Sequence, residues 1–139
     1  MTFSVCITHE ENDSNFFYNQ WSYSLNNFRP DKIYILGIDS EHSFLNYKIF
    51  QVVTPILISS YNEIVEQRVF LSPQNSTTMP GQINLKDFTH PETCCYIFGA
   101  NNSDMSSTAD GDVVYIPTST TDNMFNWVTY SVLSWDRST

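Results

Sequence analysis

The chain has 139 residues and a mass of 16.1 kDa, the size of one domain, and a single unit over 1–139 is expected. Hydrophobic residues make up 41% and aromatics 15%, with a mean hydropathy of -0.26, which excludes a disordered tail, a collagen-like repeat and a membrane protein. Six Lys and Arg against 15 Asp and Glu leave a net charge of -9, which argues against a free-standing nucleic-acid binder, because such proteins neutralise phosphates with Lys and Arg.

The opening stretch, Met1 to Cys6, lacks the basic and apolar regions of a secretory signal, and no apolar run reaches spanning length. The expectation is a soluble, cytoplasmic protein. Residues 3–7 then alternate like a strand. From Ser14 to Asn27, Phe17, Trp21, Ser24, Leu25 and Phe28 recur at helical spacing, with Ser14 placed to cap and Pro30 to end the pattern. This segment holds a dense aromatic cluster, Phe16, Phe17, Tyr18, Trp21 and Tyr23, which wraps further round a helix than one core stripe requires. Core packing accounts for some of it and a dimer face for the remainder, with stacking on nucleic-acid bases a third option that the few cations weaken.

Residues 32–37 form a nearly continuous apolar run closed by Gly37, the pattern of a strand covered on both faces. Residues 49–53 read as a strand, and 59–68 as a helix with Ser59 or Ser60 as cap and Glu63 in its first turn. A short strand at 69–71 is stopped by Ser72-Pro73. Residues 74–81 are polar and end in the turn signal Pro80-Gly81. Strands follow at 94–98, ending in Gly99, and 113–116, ending in Pro117. Residues 122–135 carry Phe125, Val128, Thr129 as a weak member, Val132 and Trp135 at helical spacing, with Asp122 as cap. Trp127, Tyr130 and Ser134 would then face a partner subunit.

Strands alternating with helices point to an α/β domain with a mostly parallel sheet and helices on both faces. Ligands of such sheets collect beyond the C-terminal strand ends, which singles out the loops after Leu71, Phe98 and Ile116. His9-Glu10-Glu11 follows the first strand, where an imidazole can act as a general base, although a solvated polar loop accounts for it as well. Asp104, Asp110 and Asp112 have the look of turn-forming loop residues rather than metal ligands. Cys6, Cys94 and Cys95 have no zinc-ligand spacing, and adjacent Cys94 and Cys95 in a strand point to opposite faces.

The C-terminal third carries a resemblance. Tyr96-Ile97-Phe98-Gly99-Ala100-Asn101-Asn102, then Gly111 to Thr118 with its Ile116-Pro117 close, then Met124-Phe125-Asn126 and Val132 to Arg137, resemble the end of a SPOUT-class RNA methyltransferase. The likeness is to the SpoU-type 2′-O-ribose methyltransferases and their phage-encoded relatives. It implies a C-terminal trefoil knot, S-adenosylmethionine held among the loops, and a homodimer that completes each site. Carried over residue by residue, it assigns Leu71, Gly99, Ala100, Asn101, Ile116, Thr118, Phe125 and Asn126 to the cofactor, and Asn15 and Asn126 to catalysis. The sequence departs from the family pattern where Asn101 replaces Glu, Asp104 replaces Gly, and Gln20 replaces Arg. The rival reading is an inactive SPOUT-like binding protein whose acidic surface engages a basic partner.

Overall fold

The computed structural model describes residues 2–9, 15–38, 46–72, 81–99, 111–119 and 124–139. Within them run β1 (Thr2–Thr8), α1 (Asn15–Asn27), β2 (Lys32–Leu36), α2 (Lys48–Val52), β3 (Ile56–Ile58), β4 (Arg68–Leu71), β5 (Gln82–Asn84), β6 (Thr93–Phe98), β7 (Asp112–Tyr115) and α3 (Asn126–Ser138). The strands form one seven-stranded sheet in the order β3-β2-β1-β6-β4-β7-β5, and every pairing is parallel. The expected α/β class is what is observed. The threading of the expected knot turns on 73–80, 100–110 and 120–123, which lie outside the described residues.

Strand alternation sorts the core into two layers. Val5, Ile7, Ile33, Ile35, Val69, Leu71, Cys94, Tyr96, Phe98 and Val114 pack with all three described α-helices in one cluster. Cys6, Tyr34, Phe70, Cys95, Ile97 and Val113 pack on the other face with Ile58 and Ile64. Among the described residues, that second face is covered by the 59–67 segment rather than by an α-helix. Cys94 and Cys95 fall on opposite faces as their adjacency requires, and all the cysteines are buried and free.

The middle of the chain departs from its sequence pattern. Residues 48–52 are a short helix, not a strand, because one turn brings Ile49 and Phe50 together onto the core. The expected helix at 59–68 stops after a single 3-10 turn, Tyr61–Glu63. Its capping box is present at Ser60 and Glu63, but the chain then extends so that Ile64 reaches the sheet, where it is 1% exposed. Strands β3 and β5 are too short for alternation to announce them.

Helix α3 presents the face opposite to the one expected. Phe125, Val128, Val132 and Trp135 lie outward, while Asn126, Thr129, Tyr130, Leu133, Ser134 and Arg137 are buried. Tyr130 and Ser134 therefore belong to the chain's own core, and half-buried Trp127 packs on Phe17 at 5.5 Å. The reversal has a physical cause: the buried Asn126, Thr129, Tyr130 and Arg137 are hydrogen-bonded, which removes most of the cost of burying them. The Ser24 hydroxyl of α1 donates to the Trp127 carbonyl at 3.1 Å and the Ser131 hydroxyl meets it at 3.1 Å, so small side chains let the helices approach closely. The Tyr130 hydroxyl donates to the Phe28 carbonyl. In α1 the aromatic cluster divides, with Phe17, Tyr18 and Trp21 buried and Phe16 and Tyr23 exposed.

Candidate functional site

Strands β6, β4 and β7 are neighbours, with Leu71 opposite both Phe98 and Val114. Their C-terminal ends are thus level, and the chain leaves all of them at one edge of the sheet. Gly99 is buried there, and the Leu71 side chain, 2% exposed, belongs to the core directly beneath. Ile116 is half-buried against the helix-side core, and Thr118 is half-buried two residues on.

Asn126 ties the edge to α3. It is 5% exposed, and its Nδ2 donates to the Gly99 carbonyl at 2.7 Å. The bond fixes the orientation of the peptide that opens the loop after β6. Phe125 is exposed and stacks on Trp127 at 4.7 Å, its ring nearly parallel at 8°. Asn15 is the first residue of α1, and Gln20 lies half-buried on the same helix. Ala100 and Asn101 lie outside the described residues, as do Asp104 and Asp110.

A residue missed by the sequence reading stands at the same edge. Ser72 is 3% exposed and donates its backbone N–H to the Val114 carbonyl at 2.9 Å, but its buried hydroxyl has no hydrogen-bond partner. A buried unpaired hydroxyl is costly in a folded protein, and a ligand atom or a water at this edge would complete its set, although Trp21 Nε1 and Ser134 Oγ are left unpaired elsewhere in the fold. The signal lay in Ser72-Pro73, which read only as a strand stop.

The opposite edge is built differently. Arg137, 9% exposed, donates through one guanidinium nitrogen to the Pro91 carbonyl and the Tyr96 hydroxyl, each at 2.8 Å. The other nitrogen donates to the carbonyls of Glu92 at 2.8 Å and Thr2 at 3.4 Å. Its cation also sits 5.4 Å from the Phe3 ring and 5.7 Å from that of Tyr96. His90 bridges the Tyr96 hydroxyl and the Asp136 carboxylate, at 2.7 Å on each side. Arg29, Lys32 and Arg68 also lie toward this edge, where β2 and β4 begin, so positive charge is concentrated away from the candidate site.

The cysteines are unsuited to nucleophilic work. Burial pushes the Cys6 thiol up to about 12 and raises Cys94 and Cys95 as well, which keeps them protonated at neutral pH.

Comparison with known proteins gives a consistent result for the fold. No protein-family model matches the chain, and no curated protein matches it in sequence. Solved structures do match. One, bearing on 2-OH methylation of C/U34 on tRNA, superposes with a TM-score of 0.70 at 12% identity over 99% of this chain and 94% of that one. The SpoU methyltransferase AviRb from Streptomyces viridochromogenes matches with a TM-score of 0.69 at 12% identity, over 98% and 58%. An AdoMet-bound rRNA methyltransferase from Sinorhizobium meliloti matches with a TM-score of 0.67 at 5% identity, over 98% and 54%. The chain spans nearly all of the first structure and little more than half the length of the other two. It has the SPOUT-type α/β fold of the SpoU RNA methyltransferase structures.

Proposed function

We propose that the chain is an S-adenosylmethionine-dependent methyltransferase acting on ribose 2′-hydroxyls of RNA in the cytoplasm as a homodimer. The observation that carries this is the level edge of β6, β4 and β7, where Asn126 fixes the Gly99 peptide and Ser72 leaves a buried hydroxyl unpaired. These groups suit an adenosyl ligand, which needs a thin apolar slot with backbone donors and acceptors rather than charges. Gly99, Ala100, Asn101, Ile116 and Thr118 would line the slot, with Leu71 as its floor and Phe125 at its rim. The Ser72 hydroxyl would bond a polar atom of the ligand. The bound cofactor supplies an electrophilic methyl group. Asn126, and Asn15 at the start of α1, would then orient the loop and the ribose.

The outward stripe of α3 supports the dimer. Phe125, Val128, Val132 and Trp135 are 57%, 40%, 40% and 60% exposed, and Phe16 of α1 lies 6.4 Å from the Trp127 ring, continuing the same apolar surface. A two-fold partner presenting this stripe would cover it, as self-complementary interfaces do. An acidic chain with Gln20 in place of the family's Arg also suits the rival role of a non-catalytic binding protein for a basic partner.

Transfer of labelled methyl from S-adenosylmethionine to total RNA decides between them. Ribose methylation blocks alkaline cleavage at the modified nucleotide, so the label is expected in alkali-resistant dinucleotides. Cofactor binding without transfer would favour the non-catalytic role, and label in mononucleotides would indicate base methylation instead.

A further inference from the structure

A second cavity lies at the edge where the strands begin, away from the candidate cofactor site. It opens over about 360 Å³ between the start of β1, the end of α1 and the last turns of α3, lined by Phe3, Phe28, Arg29, Ser134, Arg137 and Ser138. That volume falls in the range of small-ligand sites, roughly 300–1,000 Å³. The seven residues of β1 set it about 20 Å from the other edge.

Its walls are fixed by the fold itself. The Phe28 N–H donates to the Ser24 carbonyl at 3.0 Å, and the Tyr130 hydroxyl donates to the Phe28 carbonyl. The turn after α1 is tied to β1, because the Asp31 N–H donates to the Phe3 carbonyl and the Phe3 N–H to the Asp31 carboxylate, each at 2.9 Å. Phe3 packs edge-on against Tyr96 at 5.9 Å, with the Arg137 cation 5.4 Å from its ring. A ligand would therefore meet a formed site.

The chemistry of the walls narrows the ligand. Phe3 and Phe28 supply apolar ring surface. Arg137 gives four of its five N–H bonds to Pro91, Tyr96, Glu92 and Thr2, which leaves Nε–H as a donor. Ser138 donates its hydroxyl proton to the Trp135 carbonyl at 2.8 Å, so its oxygen can still accept. Arg29 is exposed and meets the neutral Asn26 side chain at 2.9 Å, which leaves its charge uncancelled. Two of the six Lys and Arg of an acidic chain thus share one aromatic-walled cavity. A planar ring with donors and acceptors on its edge and a phosphate attached uses all of these groups. A purely apolar ligand would bury guanidinium surface without return, and a bare anion would leave the rings unused.

We propose that this cavity is a nucleotide subsite, in which the base of an unpaired nucleotide lies against Phe3 and Phe28 and its phosphate pairs with Arg29. Aromatic and guanidinium planes hold single-stranded bases in this way with little regard to sequence. The inference rests on the methyltransferase reading for its source, an unpaired residue of the RNA substrate; a free mononucleotide presents the same chemistry. Such a subsite gives an acidic protein a hold on RNA outside the cofactor slot.

Uridine ligands test it, because they lack the adenine that the cofactor slot would take. Binding of labelled decauridylate is read by fluorescence anisotropy across a salt series, and uridine 5′-monophosphate by calorimetry. Arg29→Gln is expected to weaken decauridylate about tenfold and to lower the slope of log affinity against log salt by about 0.7, the signature of one lost phosphate contact to a single strand. Phe28→Leu, which keeps apolar bulk but not the ring, is expected to weaken it about fivefold with the salt slope unchanged. Affinity for S-adenosylhomocysteine should stay within twofold in both. Normal decauridylate affinity in both variants overturns the subsite, as does binding of neither uridine ligand by the unmodified protein. Loss in Arg29→Gln alone indicates a bare phosphate contact and also overturns it. Binding of the mononucleotide but not the RNA, lost in both variants, supports the subsite with a free nucleotide as its ligand. The methyltransferase reading fails separately: RNA binding that depends on Arg29 and Phe28 without methyl transfer leaves the subsite standing, whereas methyl transfer with unaltered RNA binding in the variants overturns the subsite alone.

Discussion

The two edges of the sheet obey different rules. At the edge where the strands begin, Arg137 meets the Thr2, Pro91 and Glu92 carbonyls and the Tyr96 hydroxyl, and His90 closes the set onto Asp136. At the edge where they end, Asn126 orients one peptide and the Ser72 hydroxyl is buried without a partner. The Arg137 cluster shares its bonds among many partners and so rigidifies its surroundings, whereas the Ser72 hydroxyl has none, although unpaired buried atoms also occur away from that edge, at Glu66 Oε2 and Ser134 Oγ. On the proposed function the difference separates stability from cofactor binding, in keeping with the general placement of ligands beyond the carboxyl ends of parallel strands.

Substitutions at the two edges should therefore fail in different assays. The largest expected effect is Arg137→Met, which strips the partners from buried carbonyls and the Tyr96 hydroxyl and should cost about 3 kcal/mol in denaturant unfolding. The cofactor affinity of the molecules that remain folded should change little. Asn126→Ala, at the other edge, should cost about 1–2 kcal/mol of stability and also weaken S-adenosylmethionine binding at least tenfold, because the Gly99 peptide loses its anchor. Equal losses of ligand affinity in both variants would erase the distinction between the edges.

Smaller effects sharpen it. If the proposed homodimer forms through the outward stripe, light scattering at micromolar concentration should show a dimer for the unmodified protein and a monomer for Trp135→Glu. Monomer stability should stay within about 0.5 kcal/mol, since the ring is 60% exposed. Ser72→Ala removes a hydroxyl with no protein partner, so stability should be unchanged to within about 0.5 kcal/mol while cofactor affinity falls by roughly fivefold. The smallest effect concerns acid. Burial pushes the Glu66 carboxyl up, but hydrogen bonds from Ser4 and Tyr34 and the charge of Lys32 outweigh it and hold the group below the usual carboxylate range. A lowered folded pKa contributes stability above the unfolded value and loses it as pH falls through the folded one. Glu66→Gln should accordingly flatten the acid limb of the stability profile below about pH 4.5 and leave cofactor binding intact.

The strands that build the candidate edge were readable because their side chains are apolar on both faces. Residues 69–71, 94–98 and 113–116 form near-continuous apolar runs, and a parallel sheet between two covering layers is the arrangement that demands them. Gly99, Ile116 and Asn126 also stand out by their order and spacing in the family resemblance. What stayed hidden depended on tertiary partners. The face of α3 could not be chosen from hydrophobicity, because Asn126, Thr129 and Arg137 are buried through bonds to Gly99, Phe125, Pro91 and Glu92, all but one of them distant in sequence. Hydropathy favours Phe125, Val128, Val132 and Trp135, and these are the residues left outside. Residues 49–53 differ from their strand pattern for a similar reason: β-branched and aromatic content suits a strand, and only contact with the core selects one helical turn at Lys48–Val52. Ser72 carried no signal at all beyond its place before a proline.

The central claim is that the C-terminal strand edge holds an adenosyl cofactor. Titration calorimetry with S-adenosylhomocysteine, which lacks the reactive methyl and so reports on the slot alone, tests it most directly. The account predicts saturable binding with one ligand per chain, weakened in Ser72→Ala and Asn126→Ala and preserved in Glu66→Gln. Heat no greater than dilution at millimolar ligand, from protein that unfolds cooperatively, would contradict it.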